Sequence, residues 1–135
     1  SGGKIMLEAA MEALKGTDIK VFGVTALTSL SNSDANQIFQ RNVADQVNAM
    51  LDLAEEAKID GVVCSPHELD LVTARESLLS ITPGIRMSDS NDDQARVMSP
   101  KEAIDLGSNY LVIGRPITGA QDISEALNTI HQSIN

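Results

Sequence analysis

Four short apolar runs, each closed by a turn or a polar stretch and followed by residues at helical spacing, limit what this chain can fold into more than any other feature. The runs are residues 19–25, 60–64, 79–82 and 110–114. Segments of this length with β-branched residues fit strands covered on both faces. Between them the periodicity changes. Lys4 to Leu14 carries Ile5, Met6, Ala9, Ala10, Ala13 and Leu14 at helical spacing, one amphipathic helix, with Gly16 placed to end it. From Phe39, the residues Val43, Val47, Met50, Leu51, Ala54 and Ala57 follow in steps of three and four, so one long helix is expected there. Ser65-Pro66-His67-Glu68 and Ser99-Pro100-Lys101-Glu102 each combine an N-capping serine, a proline at the first helical position and a glutamate that closes a capping box. Asp122 with Glu125 opens a last helix whose apolar face is Ile123, Ala126, Leu127, Ile130 and Ile134. The polar segments 28–34 and 87–93 read as loops, the second as a mobile one.

Strand and helix thus alternate four times, which predicts βαβ units and an all-parallel sheet, and the uneven spacing argues against a solenoid. A closed (β/α)₈ barrel takes about 250 residues. With 135 residues the chain is expected to be an α/β protein of the TIM-barrel class, a single domain over 1–135 that forms the last four βα units, half a barrel, behind a preceding helix.

Numbering the strands this way gives two arginines a meaning. Arg86 follows the seventh strand and Gly114-Arg115 follow the eighth, and the loops after those strands are the usual phosphate site of the fold. An arginine fork holds phosphate oxygens bidentately while staying charged, and a glycine offers a backbone N–H with no Cβ in the way. The competing interpretation is two unrelated surface arginines. Asp18 and Lys20 look like a charged catalytic pair but lie at the amino end of their strand, away from where barrel sites form, so they are expected to be solvated. Cys64 is expected to be a small buried hydrophobe, and His67 and His131 plain helix surface.

Composition excludes several partners. The formal net charge is −9, which disfavours nucleic acid and anionic membranes because either demands a basic face. An anionic ligand must therefore be met by a few local arginines. One cysteine and two histidines leave no internal disulfide and little to build a metal site from, and a reducing cytoplasm is the simplest home. No apolar stretch approaches a membrane span and the first residues carry no signal-peptide pattern. Ser1-Gly2-Gly3, with no initiator methionine, suggests a tag scar or a cut within a longer chain.

Six ordered segments together carry a resemblance: Ser1-Gly2-Gly3, Val24-Thr25-Ala26-Leu27-Thr28-Ser29, Asp60-Gly61-Val62-Val63-Cys64-Ser65, Thr82-Pro83-Gly84-Ile85-Arg86, Asp92-Asp93-Gln94-Ala95-Arg96 and Val112-Ile113-Gly114-Arg115-Pro116-Ile117-Thr118. In this order they resemble the second half of the bacterial orotidine 5′-phosphate decarboxylases. The resemblance implies a (β/α)₈ barrel that works as a homodimer and converts orotidine 5′-monophosphate to uridine 5′-monophosphate in pyrimidine biosynthesis without metal or organic cofactor. It also implies roles. Arg115 and the N–H of Gly114 would bind the 5′-phosphate, Gln94 would close over phosphate and base, Arg86 would belong to the same shell, and Thr28 would contact the pyrimidine. The family's catalytic Asp-x-Lys-x-x-Asp motif is not in this sequence, so the chain would carry the binding half and need the missing N-terminal half of the barrel for chemistry. The alternative is a non-catalytic phosphate-binding half-barrel that self-associates.

Overall fold

The computed structural model describes residues 2–87 and 98–135. In chain order the elements are α1 (Gly3–Ala13), β1 (Phe22–Val24), α2 (Asn32–Phe39), α3 (Val43–Glu56), β2 (Gly61–Val63), a 3₁₀ turn (Pro66–Glu68) leading into α4 (Leu69–Thr73), β3 (Leu79–Thr82), α5 (Pro100–Asp105), β4 (Tyr110–Leu111), α6 (Arg115–Thr118) and α7 (Ile123–Ser133). The strands form one parallel sheet in the order β1-β2-β3-β4. Each strand lies beside its predecessor in sequence. That is the winding of a barrel, whereas a doubly wound sheet reverses its order partway.

The two faces of the sheet differ, because side chains alternate along each strand. Val62, Cys64, Ser80 and Thr82 point one way and are fully buried. Val62 and Cys64 sit with Val47, Leu51 and Ala54 of α3 and Leu69 and Val72 of α4, the centre of the core. Phe22, Val24, Val63, Ile81 and Tyr110 point the other way by the same alternation and registers. On that face Val24 is 57% and Tyr110 49% exposed, and Val112, next on the same side, is 48% exposed. One face is a finished core and the other is open.

The capping boxes at Ser65–Glu68 and Ser99–Glu102 are both formed, and Asp122 caps α7 by accepting from Glu125 N. Several expectations need correction, among them that the strands are covered on both faces, since one face is open. The long helix expected from Phe39 is two helices, since α2 ends at Phe39, Gln40 turns left-handed at φ 58, and Asn42 caps α3 by accepting from Asp45 N. The segment 28–34 is a loop only as far as Ser31, which forms a capping box with Asp34 and starts α2. An aspartate closing the box is a weaker sequence signal than glutamate, which is why the start is easily overlooked. Arg115 lies in the first turn of the short helix α6, not in a loop. The strands are also shorter than the apolar runs: β1 spans three residues and β4 two.

Candidate phosphate site at the carboxyl ends of the strands

Because the four strands are parallel, the segments that leave them share one end of the sheet. These segments begin at Thr25, Cys64, Pro83 and Val112. The adjacency of β3 and β4 sets the two arginine-bearing segments side by side. Thr28 leaves β1, two strands further across the same end.

The segment after β3 is held firmly up to Arg86. Gly84 takes φ 82, a left-handed value that glycine adopts without a Cβ penalty. Arg86 N then donates to Met98 O at 3.0 Å and Met98 N to Gly84 O at 3.3 Å. The resulting parallel bridge, Ile85 to Met98, ties together the two ends that flank residues 88–97. Arg86 itself is buried, with Nη1 donating to Ile85 O at 2.9 Å. A solvated surface arginine would look otherwise, so the structure removes that interpretation for Arg86. One end of its guanidinium is thus tied back to the loop that carries it.

The segment after β4 presents the second cation in a different way. Gly114 caps α6, and its carbonyl accepts from Ile117 N at 2.9 Å and Thr118 N at 3.0 Å. A Cβ on Gly114 would meet no atom within 4 Å. The space there is open to a ligand. Arg115, at the start of α6, is exposed, and Pro116 behind it fixes the first helical turn. Thr28 is half-buried in the turn after β1, where Leu30 N donates to Leu27 O at 3.0 Å. Gln94 lies outside the described residues.

The other singled-out residues carry no chemistry of this kind. Lys20 pairs with Asp60 at 3.8 Å, half-exposed at the amino end of the sheet. Cys64 is a buried free thiol, and burial pushes its pKa up to about 11, so it stays protonated and unreactive. His67 and His131 are exposed. Among the described residues no group of three metal-ligating side chains occurs, and no helix is long and apolar enough to cross a membrane. Sequence reasoning gave no role to Ser80, Thr82, Ser108 and Asn109, whose side chains join β3 to the start of β4. Small polar residues beside an apolar run give no signal until the register is known.

Comparison with known proteins gives a consistent picture. The family model described as "Orotidine 5'-phosphate decarboxylase / HUMPS family" matches residues 1–130. The orotidine 5′-phosphate decarboxylase of Coxiella burnetii is 45% identical over 142 residues, covering 99% of this chain and 60% of that protein. The enzyme of the same name from Saccharophagus degradans is 46% identical over 136 residues, covering 96% and 57%. Among solved structures, orotidine 5′-phosphate decarboxylase from Lactobacillus acidophilus superposes with a TM-score of 0.80 at 33% identity, covering 99% of this chain and 60% of that one. The Methanocaldococcus jannaschii enzyme in complex with the inhibitor BMP gives 0.70 at 22% identity, a likeness in fold alone. The chain spans about 60% of the length of these relatives, and its four-stranded sheet is the corresponding part of their TIM barrel. With a family model matching nearly its whole length and relatives close to half identical, the chain belongs to the orotidine 5′-phosphate decarboxylase family.

Proposed function

We propose that this chain supplies the phosphate- and pyrimidine-binding part of an enzyme that decarboxylates orotidine 5′-monophosphate to uridine 5′-monophosphate. The observation that carries this reading is the placement of Arg86 and Gly114-Arg115 at the ends of neighbouring parallel strands, in a chain whose net charge is otherwise strongly negative. In the reading proposed here, Arg115 and the Gly114 N–H grip the 5′-phosphate, Arg86 stiffens the same shell, Thr28 meets the pyrimidine, and Gln94 closes over both. No metal or organic cofactor takes part.

Decarboxylation breaks the bond between C6 and the carboxylate carbon, leaves the electron pair on C6, and ends when C6 takes a proton. The developing carbanion calls for a cation at C6 and the departing CO₂ for a nearby carboxylate, which is electrostatic preorganisation. The sequence holds no Asp-x-Lys-x-x-Asp motif to supply them. That charge network therefore comes from a segment outside these 135 residues. What this chain contributes is grip: energy from holding the remote phosphate is used for orientation and closure at the base, so it lowers the barrier as well as KM. The complete enzyme is proposed to act as a homodimer in the cytoplasm, where a free buried thiol such as Cys64 stays reduced.

The test is release of labelled CO₂ from carboxyl-labelled orotidine 5′-monophosphate. The 135-residue chain alone should show no turnover, and mixing it with a separately made N-terminal part of a relative should produce it. Turnover by the chain alone, with longer enzyme excluded by intact mass, would overturn the division of labour. No turnover in any mixture that forms a complex would overturn the activity.

A further inference from the structure

We infer that Ser80, Thr82, Ser108 and Asn109 are positioning residues: they form a side-chain clamp that sets the register of β4 against β3 and so fixes where Gly114-Arg115 stand relative to Arg86. The inference rests on the phosphate reading above and names what holds that site together.

The backbone alone ties β4 down weakly. It pairs with β3 at two positions, Ile81 with Tyr110 and Thr82 with Leu111. One further ladder bond follows, from Val112 N to Thr82 O at 2.9 Å. One position earlier Ser80 stands opposite Asn109, and there side chains take over from the ladder. Ser80 N donates to Asn109 Oδ1 at 2.8 Å, Ser80 Oγ donates to the same oxygen at 3.2 Å, and Asn109 N donates to Ser80 Oγ at 3.0 Å. A second tie joins Thr82 Oγ1 and Ser108 Oγ at 2.6 Å, and Ser108 Oγ donates onward to Tyr110 O at 3.2 Å. Ser80, Thr82 and Ser108 are all buried. A slipped strand would leave these groups without partners away from water.

The tolerance of the site makes register matter. A slip of one residue moves a strand by about 3.3 Å and turns every side chain to the opposite face. Charge-assisted hydrogen bonds to phosphate oxygens work near 2.7–2.9 Å and specify direction as well as distance. Arg115 stands only five residues beyond Tyr110, with Gly114 between, so freedom in β4 reaches it along a short path. Arg86, pinned through Met98, does not move with it. The clamp is what makes the two cations one site.

The experiment uses the isotopically labelled 135-residue chain and inorganic phosphate, with amide shifts at Arg86, Gly114 and Arg115 as the binding signal and hydrogen exchange of the Val112 amide as the register signal. Asn109→Ala removes the acceptor of Ser80 N, whereas Asn109→Asp keeps one. Asn109→Ala should weaken phosphate binding by roughly tenfold and speed Val112 exchange by a similar factor, and Asn109→Asp should restore both. Thr82→Val, which deletes the hydroxyl and with it the tie to Ser108, should act in the same direction and carries the test should Asn109→Ala not fold. Faster Val112 exchange with unchanged phosphate binding would overturn the positioning role, as would unchanged exchange in both variants. Arg115→Ala reports on the underlying reading separately: phosphate binding that survives it, or a wild-type chain that gives no phosphate response, overturns the site and leaves the Val112 result to judge the clamp as a purely structural feature.

Discussion

The rings of Phe22 and Tyr110 meet edge to face, with centroids 6.0 Å apart and planes at 88°, although one lies on β1 and the other on β4. These are the two outer strands of the sheet, separated by β2 and β3. Flat strands at about 4.8 Å spacing would hold them roughly 14 Å apart, so the contact requires the sheet to curl toward its open face, as a barrel wall does. Gly61 makes the contact possible. A Cβ there would come within 2.6 Å of Phe22 Cε1 and would run into the Leu79 carbonyl oxygen. The backbone atom cannot give way, so Gly61→Ala should cost about 1–3 kcal/mol, the usual range for overpacking. Denaturant unfolding measures it, and a double-mutant cycle on Phe22→Leu and Tyr110→Leu should give a coupling of about 0.5–1.5 kcal/mol. Additive losses in that cycle would mean that the ring contact contributes nothing to the curvature.

A second prediction concerns Arg115, which is exposed and placed at the start of α6. In an enzyme assembled from this chain and a complementary part, Arg115→Ala should raise KM strongly and lower kcat/KM as well, because phosphate binding is used in the transition state. Removing a charged hydrogen-bond partner costs about 1.5–3 kcal/mol. Arg86→Ala should also damage folding, since that side chain is buried and bonded to its own loop. Kinetics of Arg115→Ala that match wild type would remove the arginine from the site.

How much of this was legible in the sequence follows from the range over which each signal acts. The four apolar runs, the boxes at Ser65–Glu68 and Ser99–Glu102 and the cap at Asp122 are local patterns, and each element they announce is present. The break at Gln40 was not legible, because Phe39 and Val43 are spaced as if one helix continued, and only the left-handed turn and the cap at Asn42 separate them. Parallel order could be inferred from alternation, and it implies that Arg86 and Arg115 share one end of the sheet. The clamp could not be seen that way. Ser80 meets Asn109 across 29 residues of sequence, and no local periodicity connects them.

The pH dependence of stability should come in part from two exposed capping carboxylates. The Ser31 side chain, and secondarily its backbone N–H, hold the Asp34 carboxyl below its ordinary value, and Ser99 does the same for Glu102. A carboxyl whose pKa is depressed by folding contributes stability that is present above its unfolded pKa and is lost as pH falls through the folded one. The window therefore lies in the acid range, at and below the ordinary carboxylate values. Asp34→Asn with Glu102→Gln keeps an acceptor at each cap but removes the titration. Wild type should be the more stable form near neutrality, and the gap in Tm should narrow as pH is lowered toward 3. Parallel curves across that range would show that the charge on these caps does not matter.

The open face of the sheet leads to the last prediction. Val24, Tyr110 and Val112 leave about half of their surfaces in water on that face, and Leu27 beyond β1 is 59% exposed. Apolar surface gathered on one side of a sheet favours burial against another surface, and among the described residues no further strand pairs with the outer edges of β1 and β4. Opposing this is a net charge of −9 on each copy, which keeps like chains apart until salt screens them, with a Debye length of about 10 Å at 0.1 M. The two forces respond differently to salt. Association of the 135-residue chain should therefore be weak at low ionic strength and grow with added salt as well as with concentration, whereas association through ion pairs would do the reverse. Val24→Lys, which puts a charge on the open face without touching the buried one, should reduce it. Light scattering across a dilution series at two salt concentrations reads this directly, and a chain that stays monomeric at both would show that the curl drawn in by Phe22 and Tyr110 already shelters enough of the open face to leave nothing for a partner to cover.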